Sequence, residues 1–456
     1  MSFSSLIFIF AFLPLTLLLY HLLPTSQIKN VVLLVASLLF YAWDQPKFLI
    51  LLILSVLWNY VSALSFDQET DAKKRKRSFI FGVVVNILIL GFFKYTNFFL
   101  GGLVQLKLSL PIGLSFFTFS AISYLADVYM GKSKAQKNIL YVALYISFFG
   151  KVNMGPIVQY HDMEDFLAKR EVTGEKWNTG IVLFLKGLFK KVLIADRLAV
   201  MFAALATDAS VLGTWLYAIS YMLQLYFDFS GYSDMAIGLS RLFGFDFAPN
   251  FDHPYIALNI QDFWRRWHIS LSRWFRDYIY IPLGGNRVSQ TMYIRNIMIV
   301  WLCTGLWHGA NWTFIVWGLY YGVLLLLEKY FLRDLLSHVP TAVQHIYTLL
   351  LVLIGWVFFM SPNIGAAFGV IGRMFFIGTK GLVSNTAWFY LKSNLLLLIV
   401  ACIFSTTFYK YLWRVDVVFL RKQAPLAATI VYVVLFVISI TYIISSTYQS
   451  FLYFAF

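Results

Sequence analysis

The chain has 456 residues, of which 60% are hydrophobic, 19% aromatic and only 12% charged, and its formal net charge is +15. Soluble domains have about 25% charged residues, so this composition excludes a soluble globular protein and indicates one that spans a membrane. The basic residues collect between apolar runs, which indicates contact with anionic lipid rather than with nucleic acid.

Continuous apolar runs recur along the chain and predict an all-α membrane protein, because a transmembrane barrel would show alternating apolar and polar residues. We find no internal repeat and no low-complexity linker, and we therefore predict one domain over residues 1–456. The predicted apolar segments are 5–23, 28–43, 47–66, 79–100, 111–130, 138–150, 179–195, 211–227, 292–311, 312–332, 343–361, 390–409 and 426–446.

The distribution of basic residues predicts the orientation of these segments. The densest cluster is KKRKR at residues 73–77, so we expect the loop 67–78 to be cytoplasmic. Counting back three spans places the N-terminus outside. Basic residues also precede the last segment, so the loop 410–424 is predicted to be cytoplasmic and the C-terminal tail to emerge outside.

Residues 249–287 are aromatic but carry too many arginines for a lipid-facing span. Non-spanning helices at membrane depth are tolerated where protein or a wet cavity surrounds them, so we expect a re-entrant or in-plane helix here. On one helix through 262–277, Arg266 and Arg273 share a face that could bind phosphate or headgroups, and His268 faces away. The alternative is an ion-paired interfacial helix whose histidine only forms a hydrogen bond.

His308 lies in the apolar segment GLWHGAN, residues 305–311. Ionisable groups at membrane depth are costly, which makes His308 a candidate general base. Asn311 could orient its imidazole or polarise a carbonyl. Gly305 and Gly309 would let a substrate or another backbone approach, and their spacing is also typical of a tight helix crossing with a satisfied histidine.

A polar group follows the apolar run at 211–227. Asp228 or Asp234 could hold an imidazole in one tautomer. Ser230 and Gly231 predict a helix break, and Ser233 is a candidate N-cap of the next helix.

No metal or nucleotide motif is present in the sequence. The seven histidines show no HxxxH or HxxHH grouping, and Cys303 and Cys402 form no CxxC pair. No Walker loop and no GxGxxG run occurs. We therefore predict no bound metal and no bound cofactor.

Several motifs together resemble the bacterial membrane-bound O-acyltransferases. The resemblance is greatest to the membrane subunit of alginate O-acetyltransferase and to the proteins related to that subunit. The motifs cover nearly the whole chain. They are YAW at 41–43, LPIGLSFFTF at 110–119, GPI at 155–157, GLFKK at 187–191, the segment 226–238, FWRRWHISLS at 263–272, LGGNR at 283–287 and GLWHGAN at 305–311.

The resemblance implies a ring of about 11 transmembrane helices around re-entrant and in-plane helices that form a central funnel. His308 corresponds to the family's catalytic histidine and His268 to its second histidine. The implied reaction moves an acetyl group from a cytoplasmic thioester such as acetyl-CoA to a cell-envelope polysaccharide such as alginate. It also implies a location in the bacterial inner membrane and a partner protein outside, but no nucleic acid.

Alternatives within the family are acetyl transfer to peptidoglycan and D-alanyl transfer to teichoic acid. A glycolipid flippase or transporter would also explain the spans, but it predicts inverted repeats or paired ion-coupling groups, which the sequence lacks. The aromatic tail FLYFAF at 451–456 could be an interfacial belt. It also resembles a C-terminal motif of this class, which would make Tyr453 a brief acyl carrier.

Overall fold

The computed structural model describes residues 1–100, 106, 108–408 and 424–445, and within these ranges every regular element is a helix. The helices in chain order are α1 (Leu13–Leu22), α2 (Ser26–Asp44), α3 (Leu49–Asp67), α4 (Ala72–Phe99), α5 (Leu114–Tyr129), α6 (Ile139–Ser147), α7 (Tyr160–Ala168), α8 (Gly174–Phe189), α9 (Asp196–Leu205), α10 (Val211–Leu242), α11 (Ile260–Arg266), α12 (Ile269–Phe275), α13 (Gln290–His308), α14 (Trp312–Leu327), α15 (Arg333–His338), α16 (Thr341–Met360), α17 (Ile364–Met374), α18 (Asn385–Ser405) and α19 (Ala424–Ser445).

Within the described part of the chain, seven helical stretches are long and apolar enough to cross a membrane. They confirm a multi-pass, all-helical membrane protein. The funnel and the ring of about 11 helices stay predictions. The seven stretches are Ser26–Asp44, Pro46–Asp67, Ala72–Phe99, Trp312–His338, Thr341–Met360, Asn385–Ser405 and Leu426–Ser445.

The first compact unit comprises residues 1–186 and 232–249, with α1 to α7, most of α8 and the last part of α10. Buried amides join two of its apolar helices, since Asn86 of α4 donates to Asn59 Oδ1 of α3 at 2.8 Å. Such polar pairs stabilise helix contacts in lipid. The basic cluster at 73–77 lies in the first turns of α4, whose N-terminus is capped by Asp71.

The second unit comprises residues 187–231 and 250–456, and its described helices include α9 and α11 to α19. Its core is strongly aromatic, with Trp264, Trp317, Tyr321 and Trp356 buried together. Both histidines singled out in the sequence belong to this unit. The loop residues 410–423 and Tyr453 lie outside the described residues.

The predicted helix break at Ser230 and Gly231 is wrong, because α10 runs without interruption from Val211 to Leu242. Gly231 instead allows close packing, since a Cβ atom there would lie 2.8 Å from the carbonyl oxygen of Gly187. Ser233 is buried inside the helix and is therefore not an N-cap.

The predicted continuous helix through 262–277 is also wrong. It is divided into α11 and α12 at His268, whose φ of 45° lies in the left-handed region. Asn250 stabilises the break, because its backbone oxygen accepts the N–H of Ile269 at 2.9 Å and its side-chain oxygen accepts that of Ser270 at 3.0 Å. Two i,i+4 ion pairs form, as the interpretation of an ion-paired helix expects: Arg266 with Asp262 at 3.0 Å and Arg273 with Asp277 at 3.6 Å.

Candidate active site

A cavity of about 1020 Å³ opens within the second unit, among α11, α12, α13 and residues 325–344. Its lining is strongly basic. One lining residue, Glu328, is acidic, whereas five are cationic: Arg265, Arg273, Arg276, Lys329 and Arg333. Guanidinium groups bind phosphate oxygens through paired N–H donors, so this lining suits a polyanionic ligand.

The structure separates the two arginines that the sequence placed on one face. Arg273 lines the cavity and also pairs with Asp277 at 3.6 Å, and its contact with a phosphorylated donor stays a prediction. Arg266 bonds to Asp262 at 3.0 Å and to Asp252 at 3.4 Å. The difference arises because the helix is interrupted at His268. Arg265, which precedes Arg266 on α11, lines the cavity.

Glu328 is a buried carboxylate that holds the start of α11. Its oxygens accept the backbone N–H of Ile260 at 2.8 and 3.1 Å and that of Gln261 at 3.3 Å. These donors belong to the first turn of α11, where N–H groups lack intrahelical partners and favour a negative charge. Glu328 thereby fixes the helix that leads to His268.

One face of α13 carries two cavity-lining residues and His308. Trp301 and Thr304 line the cavity. His308 follows Thr304 by one helical turn and therefore continues the same face. His308 itself is not among the residues that line the cavity, and its predicted contact with a substrate stays a prediction.

His308 is 6% exposed and lies within an aromatic enclosure. Its ring packs edge-on against Trp317, with centroids 4.9 Å apart, and against Phe359 at 5.0 Å. These contacts hold the imidazole plane and keep bulk water away from it. A neutral imidazole in such a place can accept a proton without competition from solvent.

His268 is 1% exposed, and burial lowers its pKa to about 3, so its ring is neutral near pH 7. Its Nδ1 lies 3.2 Å from the side-chain oxygen of Asn250. Phe229 packs edge-on against the ring at 4.7 Å. His268 also lines the basic cavity.

The indole of Trp307 contacts both histidines. Its ring centroid lies 6.1 Å from that of His268 and 4.8 Å from that of His308. The structure therefore brings together the two residues predicted to be catalytic, with one aromatic ring in common.

The candidate supporting residues have other contacts. Asn311 caps α14, since its oxygen accepts the N–H of Thr313 at 3.1 Å and its amide donates to the carbonyl of Pro362 at 2.9 Å. Its predicted action on a substrate or on His308 stays a prediction. Asp234 belongs to the first unit, whereas both histidines belong to the second.

Asp228 belongs to a buried ion cluster. Its carboxylate binds Lys191 Nζ at 2.7 Å, and Lys191 also binds Asp196 at 2.8 Å. A buried ion pair of this kind is costly to break, because removal of one partner leaves an uncompensated charge. The next residue, Phe229, contacts His268, so the cluster anchors this part of α10 beside the site.

The sequence patterns did not indicate three residues that shape the site, namely Asn250, Glu328 and Lys191. Glu328 had a visible signal, because it is the one acidic residue in the predicted span 312–332. Lys191 lies in the GLFKK motif, but the motif does not reveal its buried partners. Asn250 had no local signal, since it acts on a residue 18 positions away.

Comparison with known proteins identifies the family. The family description "MBOAT, membrane-bound O-acyltransferase family" matches residues 9–365. The chain is 42% identical to a probable alginate O-acetylase of Azotobacter vinelandii, over 83% of this chain and 79% of the relative.

Two further relatives act on other polymers according to their names. A peptidoglycan O-acetyltransferase of Helicobacter pylori is 38% identical, over 83% of this chain and 80% of the relative. A teichoic acid D-alanyltransferase of Bacillus subtilis is 31% identical, over 48% of this chain and 59% of the relative. These similarities favour an enzyme over the flippase alternative. The chain belongs to the membrane-bound O-acyltransferase family and is an O-acyltransferase of the membrane.

Proposed function

We propose that the protein transfers an acetyl group from acetyl-CoA, or a similar small acyl group from another cytoplasmic thioester, to hydroxyls of a cell-envelope polysaccharide such as alginate. The acceptor lies outside the bacterial inner membrane, and a partner protein outside the membrane receives or directs the acyl group. The names of the alginate and peptidoglycan relatives support acetyl transfer to a carbohydrate.

The observation that carries the proposal is the basic cavity beside His268. Acetyl-CoA has a phosphate-rich head and a long thin arm that ends in the thioester. Arg265 and Arg333 offer guanidinium groups to the phosphates, and Arg273, which pairs with Asp277 at 3.6 Å, adds positive charge to the same lining. The arm then extends along the face of α13 towards His268 and His308.

The predicted topology supports a cytoplasmic entrance to this cavity. If the loop 410–424 is cytoplasmic, counting back two spans places the chain between segments 312–332 and 343–361 on the same side. Arg333 and Ser337 lie near the end of the stretch Trp312–His338, beside this connection, and line the cavity. A donor made in the cytoplasm would therefore enter the cavity beside Arg333.

In the proposed reaction, neutral His308 accepts the proton of the attacking hydroxyl. The hydroxyl oxygen forms a bond to the thioester carbonyl carbon, and the bond between that carbon and sulfur breaks. The thiolate leaves and takes the proton from the His308 imidazolium, which yields free CoA, an acyl ester and the original imidazole. The aromatic walls of Trp317 and Phe359 exclude the water that would otherwise hydrolyse the thioester.

Peptidoglycan is the second candidate acceptor, because the peptidoglycan O-acetyltransferase is similar over the same share of this chain as the alginate relative. D-Alanyl transfer to teichoic acid is less supported, since that relative matches 48% of the chain. All three reactions would use the same general base.

The test uses the purified chain in lipid nanodiscs with acetyl-CoA labelled in the acetyl group. We expect loss of the thioester and labelled ester on one of two acceptors, polymannuronate or de-O-acetylated peptidoglycan, supplied with a membrane extract from the same cells. A His308→Gln chain is the matched control. Intact acetyl-CoA with every acceptor would contradict acetyl transfer, and turnover of a D-alanyl thioester alone would favour the teichoic acid reaction.

A further inference from the structure

The side chain of Asn250 determines which nitrogen of His268 carries the proton. Asn250 Oδ1 accepts the backbone N–H of Ser270 at 3.0 Å. Rotation of the amide by 180° would place its NH2 group against this N–H donor, so the orientation of the amide is defined. The same oxygen lies 3.2 Å from His268 Nδ1. Because an amide oxygen can only accept, Nδ1 must carry the hydrogen.

A neutral histidine with hydrogen on Nδ1 keeps a free electron pair on Nε2. This Nε2 is buried and has no hydrogen-bond partner among the described residues. Phe229 fixes the ring plane through its edge-on contact at 4.7 Å. The result is a hydrogen-bond acceptor with a fixed position in a residue that lines the cavity.

The backbone around His268 supports the same arrangement. Its φ of 45° is uncommon for a residue with a side chain. Such strain persists where the surroundings enforce it, and it concentrates at functional sites. Asn250 supplies part of that enforcement, because its backbone oxygen accepts the N–H of Ile269, directly after the histidine, at 2.9 Å.

We infer that Asn250 is a positioning residue that presents His268 Nε2 as a hydrogen-bond acceptor to the amide N–H nearest the thioester of the acyl donor. This inference rests on the proposed function. The phosphates and carbonyl groups of acetyl-CoA can only accept at neutral pH, whereas the two amides of its pantetheine arm donate. The amide beside the thioester is the donor group nearest the reacting carbon, so a bond from it to His268 would hold that carbon near His308.

The first test reads the tautomer directly. Protein labelled with 15N-histidine is studied by NMR in nanodiscs, and His268→Gln identifies the signal of His268. We expect hydrogen on Nδ1 and none on Nε2 in the natural chain. Asn250→Ala should lose this fixed tautomer, and Asn250→Asp should retain hydrogen on Nδ1 because a carboxylate also accepts.

Asn138→Ala serves as the matched control, since Asn138 caps α6 in the first unit through Leu140 N–H. It should leave the His268 signal unchanged. Hydrogen on Nε2 in the natural chain, or an unchanged tautomer in Asn250→Ala, would overturn the inference. This readout needs no turnover, so it can fail while acetyl-CoA is still consumed.

The second test identifies the ligand group. Two short acyl donors compete with labelled CoA for the protein: S-acetyl-N-acetylcysteamine, which has the amide N–H, and 2-(acetylthio)ethyl acetate, which has an ester oxygen instead. We expect the amide compound to bind about fivefold more tightly to the natural chain, as one hydrogen bond of about 1 kcal/mol implies.

The preference should disappear in Asn250→Ala and persist in Asn138→Ala. Equal competition by both compounds in the natural chain, no competition by either, or an unchanged preference in Asn250→Ala would overturn the assignment of the ligand group.

Discussion

Gly305 and Gly318 lie against each other where α13 crosses α14. A Cβ atom on Gly305 would lie 3.4 Å from the Cα atom of Gly318, and one on Gly318 would lie 3.1 Å from the Cα atom of Gly305. Both would also meet backbone carbonyl oxygens of the facing helix, those of Phe314 and Trp301. The crossing places Trp317 of α14 edge-on to His308 at 4.9 Å.

Gly305→Ala should therefore destabilise the protein and lower its activity. The added methyl group meets backbone, which cannot move as a flexible side chain can, and overpacking of this kind costs about 1–3 kcal/mol. The check is thermal unfolding in detergent, followed by size-exclusion chromatography. Gly369→Ala is the control, because the nearest atom to its new methyl group is the flexible Arg373 guanidinium at 3.6 Å. Equal unfolding temperatures for the two variants would contradict the close contact between α13 and α14 at Gly305.

Replacement of His268 by alanine and by glycine should give two variants that differ in stability. Both changes remove the imidazole, but only glycine adopts a φ of 45° without strain. We expect His268→Gly to be more stable than His268→Ala by about 1 kcal/mol, with both variants poorly active. Thermal unfolding with acetyl-CoA consumption measures both effects. A more stable alanine variant would show that the left-handed conformation is not retained.

The sequence predicted the helical class and an apolar segment for each of the seven membrane-crossing stretches in the described residues, and it singled out His268 and His308, because apolar runs and isolated ionisable residues are local signals. The two misplaced helix boundaries have physical causes that local patterns miss. Gly231 resembles a helix breaker, but it serves a packing contact with Gly187. No glycine or proline marks the break at His268, since Asn250 stabilises it from 18 positions away.

Local sequence patterns also fail to show the long-range contacts in the rest of the site. Glu328 acts on Ile260, which precedes it by 68 residues, and no pattern in the sequence connects them. Arg266 and Arg273 would share a face on an unbroken helix, and the break at His268 separates them. Long-range contacts therefore decide which of the predicted basic residues line the cavity.

The predicted topology can be tested by cysteine labelling. In a chain that carries Cys303→Ser and Cys402→Ser, Ser2→Cys should react with an impermeant maleimide from outside the cell. Lys74→Cys should react only after the membrane is opened, because basic segments remain cytoplasmic. Reaction of both cysteines from the same side would contradict the orientation, and with it the cytoplasmic entrance proposed for the cavity.

Tyr453→Phe tests the proposed acyl relay. The change keeps an aromatic ring in the tail and removes the hydroxyl that would attack the thioester. If Tyr453 carries the acyl group, transfer to the final acceptor should fall sharply while the protein remains folded. Tyr448→Phe is the control, since it removes a neighbouring tyrosine hydroxyl. A natural rate of transfer in Tyr453→Phe would show that the tail acts as an interfacial anchor instead.

The most direct test of the central claim is the rate of acetyl-CoA consumption by purified His308→Ala, measured beside the natural chain with the acceptor that supports turnover. We predict a loss of about 10²–10⁴-fold, the usual contribution of a general base, with the unfolding temperature and the affinity for CoA nearly unchanged. A rate within a few-fold of the natural chain would contradict the assignment of His308 as the base.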